Sequence, residues 1–275
     1  MTLYVVATPI GNLKDITQRA LDVLASVDQI AAEDTRHSGR LLSAYGIKTP
    51  MRSYHDFTKP HELEYFLTQL RDDAEIALIS DAGTPLISDP GYRLVRAAKI
   101  EGIDVVSIPG VCALTAALSV SGLPCERFTF EGFIPSKQGA RVTVLTRLTD
   151  EVRTMVFYEA PRRLPDSLLD LMSVFGERRE AVIAREMTKQ FETVRLGSLR
   201  ELLDWVNEDA AQLKGECVLM VSGCPEVKQE RGVLSQEAKD IATALAAELP
   251  PKKAALLTAQ IAGVHKKDVY DWLVA

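Results

Sequence analysis

The chain has 275 residues, 47% of them hydrophobic, which suffices for two compact domains or one large one. Lys and Arg number 32 against 38 Asp and Glu, a net charge of −6. That balance excludes a surface coated in basic charge, so any nucleic-acid contact must be a local patch. In chain order, Leu3 to Thr8 reads as a first buried strand, and Pro9 to Asp15 turns into a helix from Thr17 to Val27. The turn sits where a dinucleotide-binding loop would, but Gly11 is its only glycine, so a G-x-G-x-x-G motif is rejected. A second strand, Gln29 to Ala32, ends in the polar run Glu33-Asp34-Thr35-Arg36-His37, which is a site or a solvated helix start. A short helix, Ser38 to Tyr45, closes at Gly46. A short strand follows at Arg52 to His55. Lys59 to Arg71 is then amphipathic, with Leu63, Phe66, Leu67 and Leu70 on one face.

The apolar run Ile76–Ile79 predicts a buried strand, and Tyr92–Ile100 a helix. Between them lies a long turn, Ser80 to Gly91, holding Asp81, Gly83, Thr84 and Pro85, with Asp89 as the expected helix cap and Pro90 behind it. Ligands of open α/β sheets bind outside the carboxyl ends of strands, so this turn is the first candidate for a small polar ligand. Asp104–Ile108 is another strand, followed by Pro109-Gly110-Val111 and a small-residue helix to Ser121. Strands and helices alternate up to this point, which predicts a largely parallel sheet.

Gly122-Leu123-Pro124 reads as a hinge, and the pattern changes beyond it. Strands are expected at Arg127–Phe133, Arg153–Tyr158, Glu180–Arg185, Thr193–Leu196 and Glu216–Ser222, and helices at Leu164–Phe175 and Leu199–Val206. Ser136–Arg141 reads as a polar, basic loop. Strands now neighbour strands, which predicts a mixed sheet. Lys228–Gly232 reads as a linker before three helices, Ser235–Leu249, Lys252–Ala262 and Lys266–Val274. The expected division is an α/β domain over residues 1–121, a second over 122–227, and a linker with a small helical module over 228–275.

The cysteines Cys112, Cys125, Cys217 and Cys224 show no CxxC spacing and have no clustered histidines beside them, so free thiols are expected and no metal site. Leu3 to Ala7 follows the N-terminus with no charged leader, and Val111–Leu123 is too short to span a bilayer. A soluble cytoplasmic protein is the expectation, with no membrane partner.

Several segments together resemble the tetrapyrrole-methylase fold family, a two-domain α/β (class III) methyltransferase fold. They are Ala7-Thr8-Pro9-Ile10-Gly11-Asn12-Leu13, Glu33-Asp34-Thr35-Arg36, Ser80–Gly91 and Ile108-Pro109-Gly110. Phe157–Arg162, Arg185–Lys189 and Gly215–Val218 extend the resemblance over nearly the whole chain, in order. The likeness is greatest to the ribosomal branch, the 16S rRNA cytidine 2′-O-methyltransferases. The resemblance implies S-adenosylmethionine bound between two domains, methylation of cytidine 1402 of 16S rRNA in the small subunit, and a homodimer. It implies cofactor contacts at Ile10, Asp81, Ala82, Gly83 and Ile87, at Val111, Cys112 and Ala113, and at Tyr158, Ala184 and Gly215. The family's glycine-rich first turn is replaced here by Thr8-Pro9-Ile10-Gly11-Asn12, whose role stays open.

A ribose hydroxyl is a weak nucleophile until its proton is removed or shared, so a base is needed near a strand end. Asp34, Glu159, Glu186 and Lys189 are the candidates. Glu159 and Glu186 stand beside Arg162 and Arg185, so a structural ion pair is the alternative for each, and Lys189 needs burial to lose its proton. For RNA phosphates the candidates are Arg36, His37 and Arg40, then Lys137, Arg141 and Arg147, then Arg162 and Arg163. Tyr54, Phe57 and Phe133 could hold one splayed base, with core packing as the alternative. The basic tail (Lys252, Lys253, His265, Lys266, Lys267) docks on RNA, or forms a helical cap burying Leu256, Leu257, Ile261, Val269 and Trp272. Two rival functions follow: a small-molecule tetrapyrrole methylase of the same fold, and a non-catalytic cofactor-binding module recruited to the ribosome.

Overall fold

The computed structural model describes residues 1–55, 60–225, 234 and 236–274. Phe57, Lys59, the Lys228–Gly232 linker and Ser235 lie outside the described residues. The chain divides into two compact units, Met1–Cys224 and Pro225–Ala275.

The first unit carries two sheets. The first runs through β1 (Thr2–Val6), α1 (Gln18–Ser26), β2 (Gln29–Ala32), α2 (Thr35–Ala44), β3 (Met51–Ser53), α3 (Pro60–Arg71), β4 (Glu75–Ile79), α4 (Tyr92–Ile100) and β5 (Asp104–Ile108). Its strands are ordered β3-β2-β4-β1-β5 and every pair is parallel. Helices cover both faces, which is why β4 is buried from Ile76 to Ile79 without alternation. Leu3, Ile76 and Leu78 pack against Phe66 and Leu70 of α3 and Leu94 of α4. Val6, Ile30, Ala77 and Ile79 pack against Leu24 of α1 and Leu42 of α2. Because the strands are parallel, the turns after β1, β2, β4 and β5 all emerge at one edge.

The second sheet follows α5 (Ala113–Val120) and comprises β6 (Phe128–Phe133), α6 (Gln138–Arg147), β7 (Thr154–Glu159), α7 (Leu164–Phe175), β8 (Glu180–Arg185), β9 (Thr193–Ser198), α8 (Leu199–Glu208) and β10 (Cys217–Val221). The order is β6-β7-β10-β8-β9, with only β6 and β7 parallel, the mixed sheet expected. One face packs Met155, Phe157, Ile183 and Leu219 against α7 and α8. The other face packs Val156, Val182, Val218 and Met220 against Leu114, Ala117 and Leu118 of α5. So α5 leaves the first sheet and lies on the second. Burying a leucine in this seam contributes up to about 1.5–3 kcal/mol.

Three local expectations are corrected. Ser136–Arg141 is not a loop: α6 begins at Gln138. Its core-facing position is occupied by Arg141, only 4% exposed, whose Nε donates to Asp170 Oδ2 at 2.6 Å, so the apolar periodicity that marks a helix is interrupted. The second helix begins at Thr35, because the Asp34 carboxylate accepts from the backbone N–H groups of Arg36 (2.7 Å) and His37 (3.3 Å). Asp89 does not cap α4; Gly91 stands at that position.

The second unit holds α9 (Gln236–Glu248), α10 (Pro251–Ala262) and α11 (Lys266–Val274). Its core is made of small side chains, Ala238, Ala242 and Ala255, with Leu234, Val264 and Val269. Leu256, Ile261 and Trp272 are exposed, contrary to the expected apolar cap, because alanines bring the helices together without them. Lys252, Lys253, His265, Lys266 and Lys267 are all exposed. No helix among the described residues is long and apolar enough to cross a membrane.

Candidate functional site

The turn after β4 is pinned to the turn after β1. Thr8 N–H donates to Gly83 O (2.8 Å) and Gly83 N–H returns to Thr8 O (2.9 Å), while the Thr8 hydroxyl donates to Ser80 O (3.3 Å). Gly83 sits at φ +81°, and a Cβ there would stand 3.4 Å from Ile10 Cγ2. Farther along the same turn, Leu86 (φ 72°) and Ser88 (φ 64°) are also left-handed. Such backbone costs about 1–3 kcal/mol per residue and persists only where the surroundings enforce it. The coil turns Asp89 inward instead of onto α4.

Beneath this turn, between the two sheets, lies a cavity of about 340 Å³. Ile10, Ala82, Gly83 and Ile87 line it from the first sheet, and Cys112 and Ala113 from the start of α5. Tyr158, Ala184 and Gly215 line it from the second. Asp81 and Val111 are not in its lining. Val111 O accepts the Thr84 hydroxyl at 3.0 Å, and Asp81 borders a smaller neighbouring cavity. Thr84, Asp89, Phe133, Glu216 and Val218 also line the large cavity and were not singled out from the sequence for this role. Only their convergence from distant strand ends marks them.

Tyr158 is held edge-on between Phe130 and Phe133, with ring centroids 4.9 and 5.5 Å away. Its hydroxyl accepts from Leu114 N–H at 3.3 Å. Burial, then the neighbouring Cys112, pushes its ionisation upward, so it stays a neutral phenol. Phe133 is exposed at the cavity rim. Tyr54 is in the core, edge-on to Phe66, so it cannot hold a base.

The four candidate bases are each engaged. Glu159 is buried; its Oε1 accepts from Ala160 N–H (2.7 Å), its Oε2 accepts from the Ser167 hydroxyl (2.6 Å), and it pairs with Arg163 rather than Arg162. Lys189 Nζ bridges Glu186 Oε1 (2.9 Å) and Glu216 Oε2 (2.8 Å). Burial disfavours both charges, but the bridge outweighs it: Glu186 titrates below the usual carboxylate range and Lys189 above the usual amine range. Lys189 therefore stays protonated. Its stem lies over Gly11, where a Cβ would come within 2.4 Å of Lys189 Cγ. This gives the unusual first turn a role, since it seats a side chain from the second sheet. Asp34 is spent on its cap, and the two backbone N–H groups it holds lower its pKa.

Asp89 differs. Burial, opposed in part by the Ser80 hydroxyl and reinforced by Glu33 and Asp81, raises its carboxyl to about 6.

His37 and Arg40 border the smaller cavity, about 180 Å³, with Asp81, whose Oδ1 accepts from Asp34 N–H at 3.1 Å. Arg36, His37, Arg40, Lys137 and Arg162 are exposed; Arg141 is locked to Asp170 and to the carbonyls of Pro135 and Ser136, which removes it from any surface. The Cys217 thiol donates to Glu159 O and burial pushes its pKa up, so it is inert. Among the described residues no three His, Cys, Asp or Glu gather as a metal site would require.

Residues 2–203 match the family described as Tetrapyrrole (Corrin/Porphyrin) Methylases, and residues 233–275 match the RsmI C-terminal HTH domain. The chain is 53% identical over 272 residues to Ribosomal RNA small subunit methyltransferase I of Pseudomonas aeruginosa, covering 98% of this chain and 95% of that protein. It is 50% identical over 270 residues to the protein of the same name from Escherichia coli O157:H7, covering 98% and 93%. Among solved structures it is similar to uroporphyrin-III-C-methyltransferase from Thermus thermophilus (TM-score 0.57, 20% identity, 80% of this chain and 94% of that one). It is also similar to the cobalt precorrin-4 methyltransferase CbiF (TM-score 0.60, 15% identity, 80% and 94%). At these identities the two structures show the fold alone.

Proposed function

The chain belongs to the tetrapyrrole methylase family, in its ribosomal RNA small subunit methyltransferase I branch, and from that premise we infer that the cavity between the sheets is its methyl-donor site. The activity is S-adenosylmethionine-dependent methylation of the 2′-hydroxyl of cytidine 1402 in 16S rRNA. The observation that carries the site assignment is the 340 Å³ cavity at the carboxyl edge of a parallel sheet, inside the usual 300–1,000 Å³ range for small-molecule sites.

The residues present fit the cofactor. Ile10, Ile87, Ala113, Ala184 and Val218 offer apolar walls for the adenosine, and the main chain on either side of the Gly83 bridge, at Ala82 and Thr84, offers polar points for its hydroxyls and the amino-acid end. When bound, the sulfonium supplies an electrophilic methyl group. The protein's part is to hold the ribose hydroxyl behind that methyl at roughly 3–3.5 Å, and such positioning supplies about 7–11 kcal/mol of the barrier. Phe133 at the rim offers a ring for an unstacked base. Arg36, His37, Arg40, Lys137 and Arg162 supply phosphate contacts, and the lysines of α10 and α11 add a second RNA-facing surface. We read the chain as three parts, 1–121, 122–227 and 228–275; the presence of two sheets and a compact C-terminal unit supports that reading. The enzyme works in the cytoplasm as a homodimer, and the exposed Leu196 on edge strand β9 supports a self-complementary contact.

The test is methyl transfer to small subunits purified from cells lacking this gene, with the modified nucleotide mapped by mass spectrometry. One methyl on the ribose of cytidine 1402 is expected; unmodified subunits would overturn the reading. Sedimentation at micromolar concentration tests the dimer.

A further inference from the structure

Among the described residues, three carboxylates line the large cavity: Asp89, Glu159 and Glu216. Glu159 is saturated by Arg163, Ser167 and the backbone of Ala160. Glu216 is tied to Lys189, with most of its side chain in solvent. Asp89 is half-buried in the left-handed coil of the turn after β4. Among the described residues, the groups around it are Glu33 at the end of β2, Asp81 and the Ser80 hydroxyl on its own turn, and Tyr158 with Cys112 across the cavity. Of these, Glu33 and Asp81 are acids, and their charges oppose a further negative charge on Asp89. The phenol stays neutral.

We propose that Asp89 is the proton acceptor of the methyl transfer, a deepening that rests on the functional reading above. The ribose O–C bond forms as the donor's C–S bond breaks, with the electron pair of that bond staying on sulfur. The hydroxyl proton passes to a carboxylate oxygen of Asp89 and leaves from there to water. A carboxylate held inside an apolar cavity beside two other acids is a stronger base than one in water, and a base titrating near the working pH is the most effective. Its strained turn keeps the carboxylate over the cavity rather than on the helix start, where a cap residue would spend it.

The experiment compares wild type with Asp89→Asn in single-turnover methyl transfer to small subunits from pH 5 to 9. Cofactor affinity is measured by calorimetry and subunit affinity by filter binding. The expected result is a rate loss of about 10²–10⁴-fold at unchanged affinities. The wild-type rate should climb through pH 6, and the variant should lose that limb. Asp89→Asn is isosteric, and its melting temperature at pH 8 should equal or exceed that of wild type, which excludes misfolding. A variant with wild-type rate, a retained limb, or a rate loss fully explained by weaker cofactor binding overturns the proposal alone. A wild-type protein that binds the cofactor yet leaves subunits unmethylated overturns the functional reading as well.

Discussion

The two walls of the cavity are built on opposite plans. On the second sheet the acids near the site are tied to cations: Glu159 to Arg163, and Glu186 and Glu216 both to Lys189. On the first sheet the wall is a backbone coil, with left-handed residues at Gly83, Leu86 and Ser88, fastened by the Thr8–Gly83 bridge and carrying acids that face one another. Paired charges hold a shape and do little chemistry, while strained backbone and crowded acids cost stability and leave a group free to react. The second wall is scaffold and the first is reactive.

The contrast is broken most severely on the scaffold side. Glu159→Ala leaves Arg163 without its buried partner and should cost about 3–5 kcal/mol, read as a fall in the urea midpoint. On the reactive side, Gly83→Val forces a side chain into left-handed backbone against Ile10. It should cost roughly 1–3 kcal/mol, about one to two powers of ten in donor affinity by calorimetry.

A milder probe is pH. The folded-state pKa of Asp89, about 6, lies above the ordinary aspartate value of 3.8. A raised carboxyl stabilises the fold fully below the unfolded value and loses that contribution as pH climbs through the folded one. Wild type should therefore lose roughly 1–2 kcal/mol relative to Asp89→Asn between pH 4 and pH 7, after allowance for solvent screening. Parallel stability profiles for the two proteins would show that the carboxyl is not perturbed. The smallest effect is Arg36→Ala, which should leave stability and donor affinity untouched. It should lower the salt dependence of RNA binding by about one unit of slope.

The scaffold was the more legible wall. Runs such as Ile76–Ile79 and Val218–Val221 are apolar because both faces of their strands are covered, and their order along the chain implied a parallel sheet followed by a mixed one. Periodicity failed at α6, where a paired arginine replaces the apolar residue on the core face. The partner of Glu159 depended on a short 3₁₀ turn over Pro161–Arg163 that brings Arg163 rather than its neighbour back to the carboxylate. Asp89 before Pro90 has the local chemistry of a helix cap, and only the positive φ values ahead of it, invisible in residue types such as Leu86 and Ser88, turn it elsewhere. Nine of the cofactor residues implied by resemblance line one cavity, although they come from segments of the chain as far apart as Ile10 and Gly215.

Where the methyl donor binds is read most directly from crystals soaked with S-adenosylmethionine. Density bounded by the Gly83 turn on one side and Tyr158 on the other is expected. Density confined to the smaller cavity beside Arg40, or anywhere outside the gap between the sheets, would contradict the assignment.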